Sequence, residues 1–68
     1  MKDMNKAERI IWSKAQQVVK TAQGKVDFAS HHDAVVEFNV AKEMALTLEQ
    51  TTESRVAEIV AMAKSRVY

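Results

Sequence analysis

Apolar residues recur at helical spacing along most of this chain. From Phe38 onward the apolar or small positions are Phe38, Ala41, Ala45, Leu48, Thr52, Val56, Ile59, Ala63 and Val67, in steps of three or four residues. That is the pattern of one buried face on a 3.6-residue helix. Val35, Val40, Met44, Val60 and Met62 widen the stripe, while Glu37, Glu43, Glu49, Glu53 and Glu58 fall mostly off it. Neither Gly nor Pro occurs between Ser30 and Val67. Ser30 stands three residues before Asp33, a capping-box-like pair, and Asp33 and Glu37 put negative charge where the helix dipole favours it. The pattern predicts a helix over about 30–67.

A second stripe precedes it: Met4, Ala7, Ile11, Ala15, Val18 and Ala22, with Ile10, Trp12 and Val19 alongside. It predicts a helix over about 3–23, capped by Asp3 or Asn5, with Glu8 near its positive end. Gly24, the one glycine, is the natural left-handed residue after that helix, and Lys20 and Lys25 suit its negative end. Residues 24–29 form the turn, with Val26 and Phe28 folding under it and Asp27 bonding locally to the backbone. So short a connection joins antiparallel neighbours.

The two stripes differ in length. At 1.5 Å per residue the first helix is about 30 Å long and a continuous second helix about 57 Å. Two all-α folds resolve the mismatch. In one, a helical hairpin with a long second helix pairs with a second copy into an antiparallel dimeric bundle. Val56, Ile59, Val60, Ala63 and Val67, with Leu48, then form the oligomer or partner interface, and Asp at positions 59 and 60 dissociates it. In the other, the second helix breaks near 50–54, Thr51 or Thr52 caps a third helix, and the chain closes as a three-helix bundle. Trp12, beside the main stripe of the first helix, offers a further binding anchor.

Length sharpens the choice. The chain has 68 residues and forms a single domain, 1–68. A core of that size supplies only about 3–5 kcal/mol unless something staples it. Cys is absent, so no disulfide does so and nothing points to an oxidising compartment. Oligomerisation is the remaining staple. The sequence contains neither a membrane span nor the apolar core of a signal peptide, and a cytoplasmic location is expected.

Net charge is +1 but unevenly spread. Residues 1–25 carry Lys2, Lys6, Arg9, Lys14, Lys20 and Lys25 against Asp3 and Glu8. Residues 26–53 carry Asp27, Asp33, Glu37, Glu43, Glu49 and Glu53 against Lys42 alone, and residues 54–68 are basic again. Opposite charges therefore flank the seam between the first helix and the next, which biases pairing and register more than it adds stability.

Candidate chemistry is sparse. His31-His32-Asp33 draws the eye, yet Val35 and Val36 stand where a second ligand would lie one turn on, and no Cys or third His completes a metal shell. Asp33 with Glu37, and Glu49 with Glu53, are i, i+4 carboxylate pairs that suit a solvated acidic face better than acid–base work in a pocket. Ser13, Ser30, Ser54 and Ser65 have no base at fixed spacing, and one glycine cannot build a phosphate loop. No catalytic residue, metal or cofactor is expected. The basic face of the first helix raises nucleic acid as a partner, but the acidic second segment opposes it. Membrane-surface binding would compete with the core for the same apolar face.

These observations predict a non-enzymatic helical interaction module, a homodimeric regulator or inhibitor of bacterial or phage type that occupies a surface of another protein. A structural subunit of a helical assembly and a small nucleic-acid-binding regulator are the alternatives.

Overall fold

The structure, a computed structural model, describes residues 4–23 and 28–67, with the side chains of all of these except 28, 66 and 67. Asp3 as a cap, Gly24 as the helix-ending residue, Lys25 to Asp27 in the turn, and the side chains of Phe28 and Val67 lie outside what is described. The backbone of Phe28 and Ala29, expected in the turn, instead opens the second helix. The chain is all-helical, with no strand among the described residues: α1 spans Lys6–Gln23, α2 Phe28–Thr47 and α3 Glu53–Val67.

Asn5 starts α1 with a reciprocal capping box. Its side-chain Oδ1 accepts from the Glu8 amide at 2.8 Å, and the Glu8 carboxylate accepts from the Asn5 amide at 3.1 Å. Two of the amides that a helix start leaves unpaired are satisfied in this way. The buried face of α1 is Ile11, Ala15 and Val19, and the other two helices both pack on this helix. α2 and α3 meet each other much less. Ile11, Ala45, Val56 and Ile59 form the centre of the core, with Trp12, Phe38, Leu46 and Val60 half-buried around it.

The stretch expected as one helix over 30–67 is interrupted without Gly or Pro. The longest dimension of the molecule is 34 Å, which accommodates α2 but not an unbroken helix of about 57 Å. Glu49 takes a left-handed backbone, with φ 58°. The Gln50 amide bonds back to the Ala45 carbonyl at 2.8 Å, and the Glu49 amide to that of Leu46 at 3.1 Å. This is a Schellman ending, which satisfies carbonyls at the end of α2. Three residues on, the Thr52 hydroxyl accepts from the Arg55 amide at 3.2 Å and caps α3.

Magnitudes explain why the break forms. A non-glycine residue in the left-handed region costs about 1–2 kcal/mol. Reversal buries Val56, Ile59 and Ala63, and full burial of a Val or Ile side chain is worth about 1.5–3 kcal/mol each. Burial wins. It follows that Glu49→Gly, which removes the steric cost, stabilises the fold by about 1 kcal/mol. In a domain of this size that is a rise of about 4–8 °C in a thermal melt followed by circular dichroism. An unchanged or lower midpoint would contradict a left-handed residue 49.

Candidate functional site: the outward face of α2

α2 is apolar on two sides. Inward it presents Ala34 and Ala45, both buried, with Phe38 and Ala41 half-buried. Outward it presents Val36, Val40, Met44 and Leu48, one residue every four. Each of the four is exposed, rising from 45 % at Val36 to 60 % at Leu48. Ile10 on α1, 43 % exposed, lies beside them. These five side chains line an open groove of about 520 Å³ between α1 and α2. Its floor is closed by Ala7, Ala41 and Ala45, whose small side chains leave the space.

The walls of the groove carry charge. Lys6 and Lys14 stand on the α1 side and Glu37 on the α2 side. Lys14 Nζ meets Glu37 Oε1 at 2.9 Å, an exposed pair joining the two walls. Such a pair adds little stability, but it sets which wall is basic. Asp33 and Glu43, both exposed, add acid to the outer side of α2. A second recess, of about 260 Å³ between α2 and α3, is lined by Lys42, Glu43 and Glu53 beside Leu46 and Val56.

The interface residues expected from the sequence separate in space. Val56, Ile59 and Ala63 are buried within the chain itself, Ile59 with 0 % exposure, and Val60 is half-buried against the same core. α1 covers the stripe that the sequence offered to a partner, because α3 folds back instead of extending α2. Trp12 is half-buried against this core too. Leu48 is the member of the expected set that stands in an exposed apolar surface. Val36, Val40 and Met44 join it there.

A polar junction sits at the start of α1, at the end of the core away from Gln23. Glu8 is only 8 % exposed and buried among three segments. Besides its capping role, its Oε2 accepts from the Thr51 hydroxyl at 3.0 Å and from Arg55 Nε at 3.2 Å. Arg55 Nη1 reaches Glu58 at 2.9 Å, and Asn5 Nδ2 donates to the Gln50 carbonyl at 2.7 Å. Burial pushes the Glu8 carboxyl up, but the bonds from Asn5, Thr51 and Arg55, with the charge of Arg55, bring it below its ordinary value. The junction fastens the start of α1 to the α2–α3 turn and to α3. Every partner is spoken for, so it is a structural knot rather than a reactive site.

The remaining candidate chemistry is also placed. His31 Nδ1 lies 2.9 Å from the Thr21 hydroxyl, tying the start of α2 to the end of α1. Glu49 and Glu53 do not share a helix face, since the turn separates them and Glu53 opens α3. Among the described residues no group of three or more His, Cys, Asp or Glu is placed to hold a metal ion, and no helix is long and apolar enough to cross a membrane. Comparison of the chain with protein-family models, with characterised proteins and with solved structures gave no match. Any functional reading therefore rests on the surface just described.

Proposed function

We propose that this protein is a non-enzymatic interaction module: a small three-helix bundle, of the size of a regulator or inhibitor, that works by pairing the outward face of α2 with another polypeptide. One observation carries the reading. α2 bears apolar side chains on both its inward and its outward side, and the fold covers the inward one. A contiguous row of exposed apolar side chains with charged residues beside it marks an interaction surface, and a further chain laid on it would complete the burial of the apolar residues of α2. A row of side chains spaced by four residues beside a groove suits a helical partner. The groove holds no convergent set of acid, base and nucleophile, and Glu8, the one buried charged group among the described residues, is consumed by structural bonds.

The test is a photo-reactive amino acid placed at position 40 in one preparation and at position 57, exposed on α3, in another. Irradiation in the cells that make the protein should give covalent protein adducts from position 40 and few from position 57. Equal labelling from both positions, or none from position 40, would remove the outward face of α2 as the working surface.

A further inference from the structure

Resting on that reading, we propose that the polypeptide covering α2 is a second copy of this chain, the two α2 helices crossing so that each enters the groove between α1 and α2 of the other.

Three observations converge on self-pairing. The first is the spacing of the exposed residues. Val36, Val40, Met44 and Leu48 form a single ridge of i, i+4 steps. Two ridges of this kind interdigitate in the commonest helix-packing class, with a crossing angle near −50°. Identical ridges on identical chains meet that requirement through a two-fold axis, where every contact occurs twice.

The second is charge. The groove presents Lys6 and Lys14 on its α1 wall. The ridge that would enter it is accompanied on its own helix by Asp33 and Glu43, both exposed, while Glu37 is already paired with Lys14 of its own chain. A basic receptor wall and an acid-flanked insert are both present on one chain. A second copy supplies the complement twice over, whereas an unrelated helix would need an acidic flank of its own. Charge complementarity of this kind sets specificity and association rate.

The third is the size of the core. Among the described residues, four of the eight buried apolar ones are alanines: Ala15, Ala34, Ala45 and Ala63. A domain of 68 residues without Cys and with so many small core side chains folds with only about 3–5 kcal/mol of its own, and further burial adds to that margin. Doubling the α1–α2 layer provides it from residues already on the surface.

The experiment is the absolute mass by light scattering and sedimentation, from about 1 μM to about 1 mM of the full chain. The expected result is a monomer–dimer equilibrium that stops at two copies. Val40→Asp with Met44→Asp is expected to weaken the dimer by about 30-fold or more, the effect of losing a central anchor. Both residues are more than half exposed in the single chain, so helicity by circular dichroism should be retained. A charge exchange adds a second reading. Lys6→Glu/Lys14→Glu and Asp33→Lys/Glu43→Lys should each self-associate about tenfold more weakly, and the two variants should pair with each other when mixed.

A strict monomer at every concentration would overturn self-pairing. So would mass that keeps growing with concentration, or a dimer indifferent to the position 40 and 44 changes. If the chain is monomeric while position 40 still cross-links to a different protein, self-pairing fails and the interaction reading stands. If neither occurs, both fail.

Discussion

Ile59→Ala is expected to unfold most of the protein at room temperature. Ile59 has no exposed surface and lies with Ile11, Ala45 and Val56 at the centre of the core. Cutting a buried Ile to Ala costs about 2–5 kcal/mol, the lost transfer energy plus the cavity left behind. The neighbours cannot collapse readily into the space, because Ala45, in the same cluster, has no side-chain length to spare. Against a total of about 3–5 kcal/mol for a domain of this size, that loss is decisive. Helical circular dichroism and a urea titration measure it, and the variant should show a shallow or absent transition. A cooperative melt within a few degrees of the parent would mean that α3 does not pack on α1 as described. The comparison with Val40→Asp is the informative one. A charge at position 40 sits in solvent and leaves the fold intact in a single chain, whereas at position 59 even an alanine does not. Substitution of Ile59 and Val60 by Asp thus reports on folding and not on association alone, and the face of α2 is the place to probe association.

The helices and their inward faces were legible because they rest on local rules. The stripe of α1 runs through Ile11 and Ala15 as expected but goes on to Val19, read as lying alongside, and not to Val18, half-buried, or Ala22, exposed. α1 starts at Lys6, later than the expected 3, behind Asn5, one of the two expected caps. Thr51 and Thr52 were both legible as caps of a third helix for the same reason, as threonines ahead of an acidic first turn, and Thr52 takes the role. The break itself was not fixed by any local signal. Glu49 is a poor left-handed residue, and it takes that conformation because tertiary burial of Val56 and Ile59 outweighs the cost. The choice between one long helix and two therefore lay in the competition between distant apolar groups. The outward ridge was hidden by its own pattern. With Val35, Val36, Phe38, Val40, Ala41, Met44, Ala45 and Leu46 in one helix, apolar residues occupy nearly every direction. A second apolar face then reads as a widening of the first. Counting how many sides of the helix are apolar, rather than tracing one stripe, separates them. Asn5 was read as one of two caps and Glu8 as a charge suited to the helix start, though their spacing is that of a capping box. What it could not announce was that Glu8 also meets Thr51 and Arg55, which lie 43 and 47 residues away.

That long-range use of Glu8 leads to the second large effect. Glu8→Ala removes the return half of the capping box and the acceptor for Thr51 and Arg55 in one step, leaving polar groups of three segments without their partner. A bond to a charged group is worth about 1.5–3 kcal/mol and loss of a cap about 1 kcal/mol, and because the same carboxylate makes them all they do not add fully. A net loss of about 2 kcal/mol is expected, a drop of about 8–16 °C in the melting midpoint at this chain length. Acidity should tell the same story. The folded carboxyl titrates below its ordinary value, burial raising it and the bonds from Asn5, Thr51 and Arg55 lowering it further than burial raises it. A depressed folded value means that the carboxylate stabilises the protein above the unfolded-state pKa, about 4.3, and that this contribution disappears as pH falls through the lower folded value. Stability contributed by Glu8 is therefore full at neutral pH, begins to fall near pH 4 and is gone in stronger acid. Glu8→Gln keeps an oxygen for the capping box but carries no charge toward Arg55. It should lose part of the neutral-pH stability and flatten the acid limb, so that parent and variant converge as pH falls. Parallel curves, with a constant gap down to strong acid, would show that the charge on Glu8 has no part in holding α1 to the turn and α3. Convergence would locate the acid sensitivity of the fold in the one residue that joins all three.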